Sequence, residues 1–388
     1  MILGTSIGAG MLALPIVSAG QSWYDTVLML VFSWLLMTLG AFNLLEVNLW
    51  LKDGSNMLTM AQQTLGKVGK YVCLVVYIAL LLALICAYLS GAGDVLHVML
   101  QYGGLSLSRS WSTFLIWIVL STVVYSGISI VDKANRFLMA GKLLAYLLLV
   151  GMIFPFVHLH YYTKVGHHLY FHALMVMITS FGYAIIVPSL RSYLNSDVRT
   201  LKSVILIGSL LPFVLYLVWI FVVQGVLPPF GSSGLVALNH STEMNSALMN
   251  GLSAVTSNGF LSIIAKLFIS ICVITSFLGV SLCLFDFVVD ALGKSEAGPT
   301  RKFLALTSFF PPLFIVLFKP GVFMVALGYA GICCVILLIL LPGLMVYRGR
   351  YLQLRQGEKV SPGGKITLIL SILVAVVFLV MTIAERFH

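Results

Sequence analysis

Two stretches of the sequence combine a cluster of small residues with a proline a few positions later. The first is GTSIGAGMLALP, residues 4–15, and the second is TSFGYAIIVPS, residues 179–189. Glycine and proline both disfavour a continuous α-helix, so we expect an interrupted helix at each stretch. An interruption inside a membrane frees backbone N–H and C=O groups, which are tolerated only where a cavity or a ligand satisfies them.

The groups freed at such interruptions suit a zwitterion. Amides at the N-terminus of a half-helix favour a carboxylate, and carbonyls at a half-helix C-terminus favour an ammonium group or a cation. We therefore predict a binding site for an α-amino acid. Its predicted residues are Thr5, Ser6, Ile7, Gly8, Ala9 and Gly10 in the first stretch, and Ser180, Phe181, Gly182 and Tyr183 in the second.

Alternatives stay open for these stretches. Small residues also allow helices to pack closely in lipid, so the pair would then be kinked, closely packed helices without a ligand. The rings of Phe181 and Tyr183 suit stacking on an aromatic substrate or a lid over it, and they equally suit packing against lipid or the protein core.

The amino-acid composition indicates whether these helices lie in water or in a lipid bilayer. Of 388 residues, 60% are hydrophobic and 9% are charged, whereas a typical soluble domain has about 25% charged residues. We therefore predict an all-α membrane protein. The formal net charge is +10, but the basic residues lie in short loops between apolar runs, which argues against a nucleic-acid partner. The six cysteines lack metal-ligand spacing, and we expect neither a metal site nor a cofactor.

Apolar runs of sufficient length predict about eleven transmembrane helices. They lie at about residues 1–20, 26–48, 71–100, 112–128, 140–158, 171–190, 203–224, 259–289, 303–318, 321–347 and 366–384.

The two interrupted stretches fall in spans 1 and 6, five spans apart. Because five is odd, a five-helix unit repeated in tandem crosses the membrane in opposite directions, which gives an inverted repeat. We predict repeat one at about 1–158, repeat two at about 171–347 and an extra eleventh helix at about 366–384. Paired interruptions of this kind indicate the binding site of a secondary transporter, so residues 1–388 are predicted to form a single transmembrane transporter domain.

The distribution of Lys and Arg predicts the orientation. With a cytoplasmic N-terminus, 17 of the 22 Lys and Arg residues fall inside and 4 fall outside, and Lys266 lies within a span. Placing Lys142 within span 5 leaves 16 inside. The positive-inside rule therefore predicts a multi-pass protein of the inner (plasma) membrane with its N-terminus in the cytoplasm.

Four motifs carry a resemblance to a known family. They are GTSIGAGMLALP at 4–15, SFGYAIIVPSLRSYL at 180–194, TSFLGVSLCLFDFVVD at 275–290 and VALGYAG at 325–331. With these motifs in order, the whole chain resembles the hydroxy and aromatic amino acid permease family of the amino acid–polyamine–organocation superfamily. The resemblance implies the inverted five-plus-five fold and import of an aromatic amino acid, tyrosine or tryptophan, across a bacterial inner membrane. Such permeases usually have a full half-helix before the glycine-rich break. Here only Met1–Leu3 precede it, so either translation begins upstream or that half-helix is missing.

The resemblance also implies residues for ion coupling. Relatives in the superfamily carry a lysine at a place similar to that of Lys142, facing helices 1 and 8, where sodium-driven relatives hold an ion. Thr275 and Ser276 lie in span 8, where those relatives complete the ion site with hydroxyl groups. A lysine in a low-dielectric site gives up its proton readily, so Lys142 is predicted to carry the coupled proton. The alternatives are a lysine that extends to cytoplasmic water and hydroxyl groups that join neighbouring helices.

These observations together predict a proton symporter for an aromatic amino acid. The alternative within the same fold is sodium coupling or a small neutral amino acid as substrate. A channel needs no paired breaks, and an intramembrane enzyme needs a nucleophile–base or metal constellation that the sequence lacks, so no enzymatic activity is expected. The predicted partners are the amino acid, a proton or sodium ion, and the lipid bilayer.

Overall fold

The computed structural model describes most of the chain as helices. The described residues are 2–126, 128–162, 170–194, 196–231, 234–239, 241, 244–254, 259–292, 299–355 and 357–384. Within these ranges no β-strand occurs. The α-helices, numbered along the chain, are α1 (Ile2–Ser6), α2 (Ala9–Val17), α3 (Trp23–Leu49), α4 (Met57–Tyr102), α5 (Arg109–Tyr125), α6 (Ile128–Ile153), α7 (Phe171–Ser180), α8 (Val187–Tyr193), α9 (Val198–Val226), α10 (Leu235–Asn239), α11 (Met244–Ala254), α12 (Gly259–Leu292), α13 (Pro299–Phe318), α14 (Phe323–Cys334), α15 (Leu341–Tyr351) and α16 (Lys365–Ala384). Short 3₁₀ segments cover Phe154–Phe156, Leu159–Tyr161 and Gly182–Ile186, and a π-helical segment covers Val335–Leu340.

The helices have the lengths and composition of a polytopic membrane protein. Among the described residues, eight helical stretches are long and apolar enough to cross a bilayer, and Arg109–Tyr125 and Ser308–Phe318 are shorter apolar helices. The predicted all-α membrane fold is therefore confirmed, while the number of eleven spans and the inverted repeat stay predictions.

The two interrupted stretches occupy the centre of the helix packing. Every residue of α2 is buried, and most of α7 is buried as well. The helix α2 packs against α7, α9 and α12, and α7 also contacts α3 and α14. The breaks themselves, at Ile7, Gly8 and Phe181, are buried, so lipid does not reach the backbone groups freed there.

Span 5 begins well before the predicted boundary of about residue 140. The helix α6 starts at Ile128, and its first turns contain Asp132, Lys133 and Arg136, which lower the local hydropathy and hide the helix from an apolar-run criterion. At 1.5 Å per residue, Lys142 lies about 20 Å along the helix axis from Ile128. Lys142 therefore lies several turns inside α6 rather than at its start.

The helix of span 3 also begins before its predicted boundary of about residue 71, but its first part is set off by a bend. Its helical segment begins at Met57, but Gly66 has φ 84° and ψ −164°, so a short preceding helix meets the long span at a bend. The left-handed φ favours glycine, since other residues adopt it only with strain.

Span 10 is interrupted by its π-helical segment. Pro342, in the first turn of α15, has no N–H to donate to the carbonyl of Leu338 four residues earlier. That carbonyl oxygen lies directly against Gly40 of α3, where an added Cβ would overlap it. Widening to a π-helix therefore coincides with a freed carbonyl, and the absence of a side chain at Gly40 makes room for it.

A buried ion pair joins the ends of α3 and α15 to the segment that precedes α16. The guanidinium of Arg350 donates from Nε to Oε1 and from Nη2 to Oε2 of Glu46, each at 2.5 Å. The backbone N–H groups of Val360 and Ser361 also donate to Glu46 Oε2, each at 2.8 Å. The carboxylate and guanidinium are 1% and 6% exposed, so Glu46 is a structural residue here.

Removing one partner of this buried pair leaves the other charge without compensation. Arg350→Ala is expected to lower the free energy of unfolding by about 3 kcal/mol or more. The control Lys202→Ala removes the exposed Lys202–Glu358 pair and should change the same quantity by less than about 1 kcal/mol. Thermal unfolding of the purified proteins in detergent measures both, and equal effects would contradict a structural role for the buried pair.

Candidate functional site

The first break separates α1 from α2. The helix α1 ends at Ser6, Ile7 and Gly8 are not helical, and α2 begins at Ala9. Gly8 has φ −149° and ψ −160°, an extended conformation open to any residue. A positive φ therefore does not account for glycine at this position, whereas lack of space for a Cβ does.

The second break is a change of helix type. The helix α7 ends at Ser180, Phe181 has φ −97° and ψ 23°, and the chain continues as a 3₁₀ segment over Gly182–Ile186 before α8. Pro188 stands in the first turn of α8, where proline fits because its missing N–H has no intrahelical acceptor. Both interruptions that the sequence predicted are present.

The two breaks lie against each other and against α12. A Cβ added at Gly10 would lie 3.0 Å from Ser180 Oγ and 3.7 Å from Ser180 Cα. A Cβ added at Gly8 would overlap Ser276 Oγ of α12. Backbone from both interrupted helices therefore converges at one place, as a shared site requires.

Lys142 reaches the first break from α6. Its side chain is 1% exposed, and its ammonium group donates to the carbonyl of Ile7 and, at 3.2 Å, to the hydroxyl of Thr275. The structure therefore places Lys142 beside the broken helix and α12, and its ammonium group does not extend to cytoplasmic water.

Both predicted hydroxyl groups of α12 face the first break as acceptors. Thr275 Oγ1 donates to Ile271 O at 2.8 Å, which leaves its lone pairs for the ammonium of Lys142. Ser276 Oγ donates to Cys272 O at 2.8 Å and accepts the N–H of Ala9, the first residue of α2, at 2.9 Å. Each hydroxyl thus satisfies a donor at the break.

Tyr216 of α9 connects the two breaks, and the sequence analysis did not identify it. Its hydroxyl lies 2.5 Å from the carbonyl oxygen of Ser6 and 2.9 Å from that of Ser180. Its ring is fully buried and meets the ring of Phe181 edge to face at 5.1 Å between centroids. A tyrosine in an apolar span carries no sequence signal for this role, because the role is set by the packing of α9 on α1 and α2, which brings the Tyr216 hydroxyl to the end of α7.

The remaining predicted residues differ in their relation to the breaks. Thr5 is exposed and its hydroxyl donates to Ile2 O at 2.9 Å within α1. The hydroxyl of Ser6 is buried and has no partner among the described residues. Tyr183 is fully buried, and its hydroxyl bonds with Thr38 of α3 at 2.9 Å, so its polar end is engaged with α3.

Gly182 lies near span 10. A Cβ at this residue would be 3.7 Å from the sulfur of Cys334.

The structure thus brings one group of predicted residues together at the breaks, namely Ser6, Ile7, Gly8, Ala9, Gly10, Ser180, Phe181, Lys142, Thr275 and Ser276. The hydroxyl groups of Thr5 and Tyr183 are bonded elsewhere, and in the part of the chain that the structure describes no group of His, Cys, Asp or Glu is arranged to hold a metal ion.

The overlap between Gly8 and Ser276 gives a test of the geometry. Gly8→Ala is expected to slow the predicted amino acid uptake about tenfold or more, because the new Cβ displaces Ser276 Oγ. In a Ser276→Ala background that oxygen is absent and the nearest remaining atom, the Cβ of residue 276, is 3.5 Å away, so the same change should cost less.

Initial uptake rates, normalised to the amount of protein in the membrane, measure this double-mutant cycle. Gly151→Ala in α6 is the matched control, because a Cβ at that glycine meets nothing within 4 Å. An equal cost of Gly8→Ala in both backgrounds would show that the contact with Ser276 does not limit this position.

Comparisons with known proteins cover almost the whole chain. The model of the tryptophan/tyrosine permease family matches residues 1–382. The chain is 32% identical to the tyrosine-specific transport system 1 of Haemophilus influenzae, over 100% of this chain and 96% of that protein. It is 29% identical to the tryptophan-specific transport protein of Shigella flexneri, over 90% and 85% of the two chains. It is also 28% identical to the glutamine transporter 2 of Aliivibrio fischeri, over 99% and 97%. The chain therefore belongs to the tryptophan/tyrosine permease family.

Proposed function

We propose that this protein imports an aromatic amino acid, tyrosine or tryptophan, together with protons across a bacterial inner membrane. The names of the tyrosine-specific and tryptophan-specific relatives support the substrate class. Transport rather than enzymatic catalysis is in keeping with the family. The excess of Lys and Arg in the predicted inside loops supports a cytoplasmic N-terminus.

The observation that carries this proposal is the convergence of both helix breaks at one buried place. A Cβ at Gly10 would contact Ser180, so backbone from both interrupted helices is available to one ligand. The N–H groups in the first turn of α2 suit the carboxylate of an amino acid once those of Ala9 and Met11 leave Ser276 Oγ and Gly8 O, and the carbonyls that end α1 and α7 suit its ammonium group. The ring of Phe181 lies beside them and suits an aromatic side chain.

Lys142 is the group that we assign to energy coupling. Its ammonium is buried between the carbonyl of Ile7 and the hydroxyl of Thr275. Exposure to the outside lets the amine take a proton, and closure around substrate carries the charge inward, where the amine releases it. One elementary charge is worth about 2.3 kcal/mol per 100 mV, which concentrates substrate roughly fiftyfold.

The same contacts favour protons over sodium ions. A sodium ion at this break needs oxygen ligands, and the ammonium of Lys142 already bonds to Ile7 O and Thr275 Oγ1. Sodium coupling is therefore the second candidate, and it requires Lys142 to withdraw from these oxygens.

A neutral, non-aromatic substrate is the second candidate for the cargo. It is favoured by the likeness to the glutamine transporter of Aliivibrio fischeri, which extends over 99% of this chain. The backbone groups at the breaks bind the parts that all α-amino acids share, so the surrounding side chains decide between the two kinds of substrate.

Uptake into proteoliposomes tests cargo and coupling together. We expect accumulation of radiolabelled tyrosine or tryptophan under an imposed proton gradient and no stimulation by a sodium gradient. Glutamine is measured in parallel. Accumulation that follows sodium alone, or accumulation of glutamine without either aromatic amino acid, would replace the first proposal by the corresponding second candidate.

Replacement of the buried lysine separates coupling from binding. Lys142→Ala is expected to remove accumulation driven by a proton gradient while leaving substrate exchange across the membrane measurable, because exchange needs no net proton movement. The control is Lys266→Ala in α12, since the Lys266 ammonium lies 3.4 Å from the centre of the Tyr102 ring and away from the breaks. Undiminished proton-driven accumulation in the Lys142 variant would contradict the coupling role.

A further inference from the structure

We propose that the connection between α15 and α16 binds the headgroup of an anionic phospholipid. The residues that form this binding surface, called the basic surface from here on, are Arg348, Arg355, Lys359, Lys365, Tyr347 and Tyr351. Such binding is independent of the transported substrate and of the coupling ion, because the basic surface lies at the predicted cytoplasmic ends of the helices, away from the breaks.

Positive charge on this connection exceeds the acidic groups that could neutralise it. Residues 346–365 include five Lys and Arg side chains and one acidic side chain, Glu358. That carboxylate is paired with Lys202 of α9 at 2.8 Å, and Arg350 is paired with Glu46 of α3. The four cations of the basic surface have no ion pair among the described residues, so their charge is open to an anionic partner.

Two tyrosine rings hold the ammonium group of Lys365 at the start of α16. Its Nζ lies 5.9 Å from the centre of the Tyr347 ring and 5.8 Å from that of the Tyr351 ring, and the two ring centres are 5.4 Å apart. A cation within about 6 Å of a ring centre is attracted by the ring. The rings accept no N–H of the ammonium as an oxygen would, so its donors are available to a phosphate.

The arginines border the basic surface on the side of α4. Arg348 Nη1 donates to Leu65 O at 3.2 Å, and Arg355 Nη2 donates to Gln63 O at 2.7 Å. Because a guanidinium group has five N–H donors, these bonds fix its position and leave donors for a phosphate. Residues 67–70 of α4, which follow directly, contain two lysines and no acidic residue, so α4 adds no negative charge here.

Exposed apolar side chains adjoin the basic surface and favour a lipid over a soluble anion. Leu352 and Leu354, which lie between the arginines in sequence, are 68% and 75% exposed. Ile366, directly after Lys365, is 75% exposed, and the helix it belongs to is long and apolar enough to cross a bilayer. A molecule with an anionic head and acyl chains matches both the cations and the apolar residues beside them.

Lipid binding to the purified protein in a non-ionic detergent tests this partner. Native mass spectrometry measures binding of dioleoylphosphatidylglycerol, which is anionic, and of dioleoylphosphatidylcholine, which has the same acyl chains and no net charge. We expect tighter binding of the anionic lipid. Lys365→Gln should weaken that binding about fivefold, the contribution of one basic residue at an anionic surface, and should change binding of phosphatidylcholine by less than about twofold.

Lys133→Gln is the matched control. Lys133 is an exposed lysine of α6 on the same predicted side of the membrane, and it has no ion pair among the described residues, so the variant loses the same charge elsewhere. It should bind phosphatidylglycerol within about twofold of the unmodified protein. Lys365→Arg keeps the cation beside the two rings and should also retain binding.

Glycerol 1-phosphate distinguishes a lipid from a free phosphate, because it has the phosphate without acyl chains. At millimolar concentration it should not displace phosphatidylglycerol, and displacement would replace the lipid by a soluble ligand and overturn the proposal. Equal binding of the two lipids by the unmodified protein would overturn it as well. Equal weakening by Lys133→Gln and Lys365→Gln would show attraction by net charge alone, with no site at the basic surface.

Discussion

Backbone carbonyls that lose their helical partners inside a bilayer have no water to bond with, and the whole central arrangement of this permease follows from that constraint. The carbonyls of Ser6 and Ser180 meet the hydroxyl of Tyr216, and the carbonyl of Ile7 meets the ammonium of Lys142. These donors come from α9 and α6, neither of which is itself interrupted. Two continuous helices thus supply what the broken ones lack.

On the proposed function, these contacts would link substrate binding to movement of helices. Ala9 N–H is bonded to Ser276 of α12, so α6, α9 and α12 are all attached to the breaks by hydrogen bonds. A substrate that enters must exchange partners with these groups, since the break is already largely satisfied. At the proposed site, an amino acid that bonds to the carbonyls would change the contacts of α9 and α6 together, which would give a physical route from ligand binding to rearrangement of helices.

Features set by local sequence could be predicted, whereas contacts between residues far apart in the chain could not. Glycine and proline act on the backbone where they stand, so both breaks were predictable, and apolar runs gave most of the helices. The pairing of Glu46 with Arg350 and the placement of Tyr216 depend on residues far away in sequence. Charged residues in the first turns of α6 hid its start at Ile128 from the apolar-run criterion. The hydroxyl of Tyr183 bonds to α3, a direction that spacing alone does not specify.

The π-helical segment of span 10 sets the direction in which the side chains of α15 point. At 3.6 residues per turn, each residue added to or removed from a helix rotates the following part by about 100°. Because a π-helical turn holds one residue more than an α-helical turn, ordinary α-helical winding of Val335–Leu340 with the same number of residues would turn Arg350 of α15 away from Glu46, whereas deletion of one residue there would keep its direction. Loops usually accept changes in chain length, whereas here the number of residues in one helix decides which of its faces meets α3.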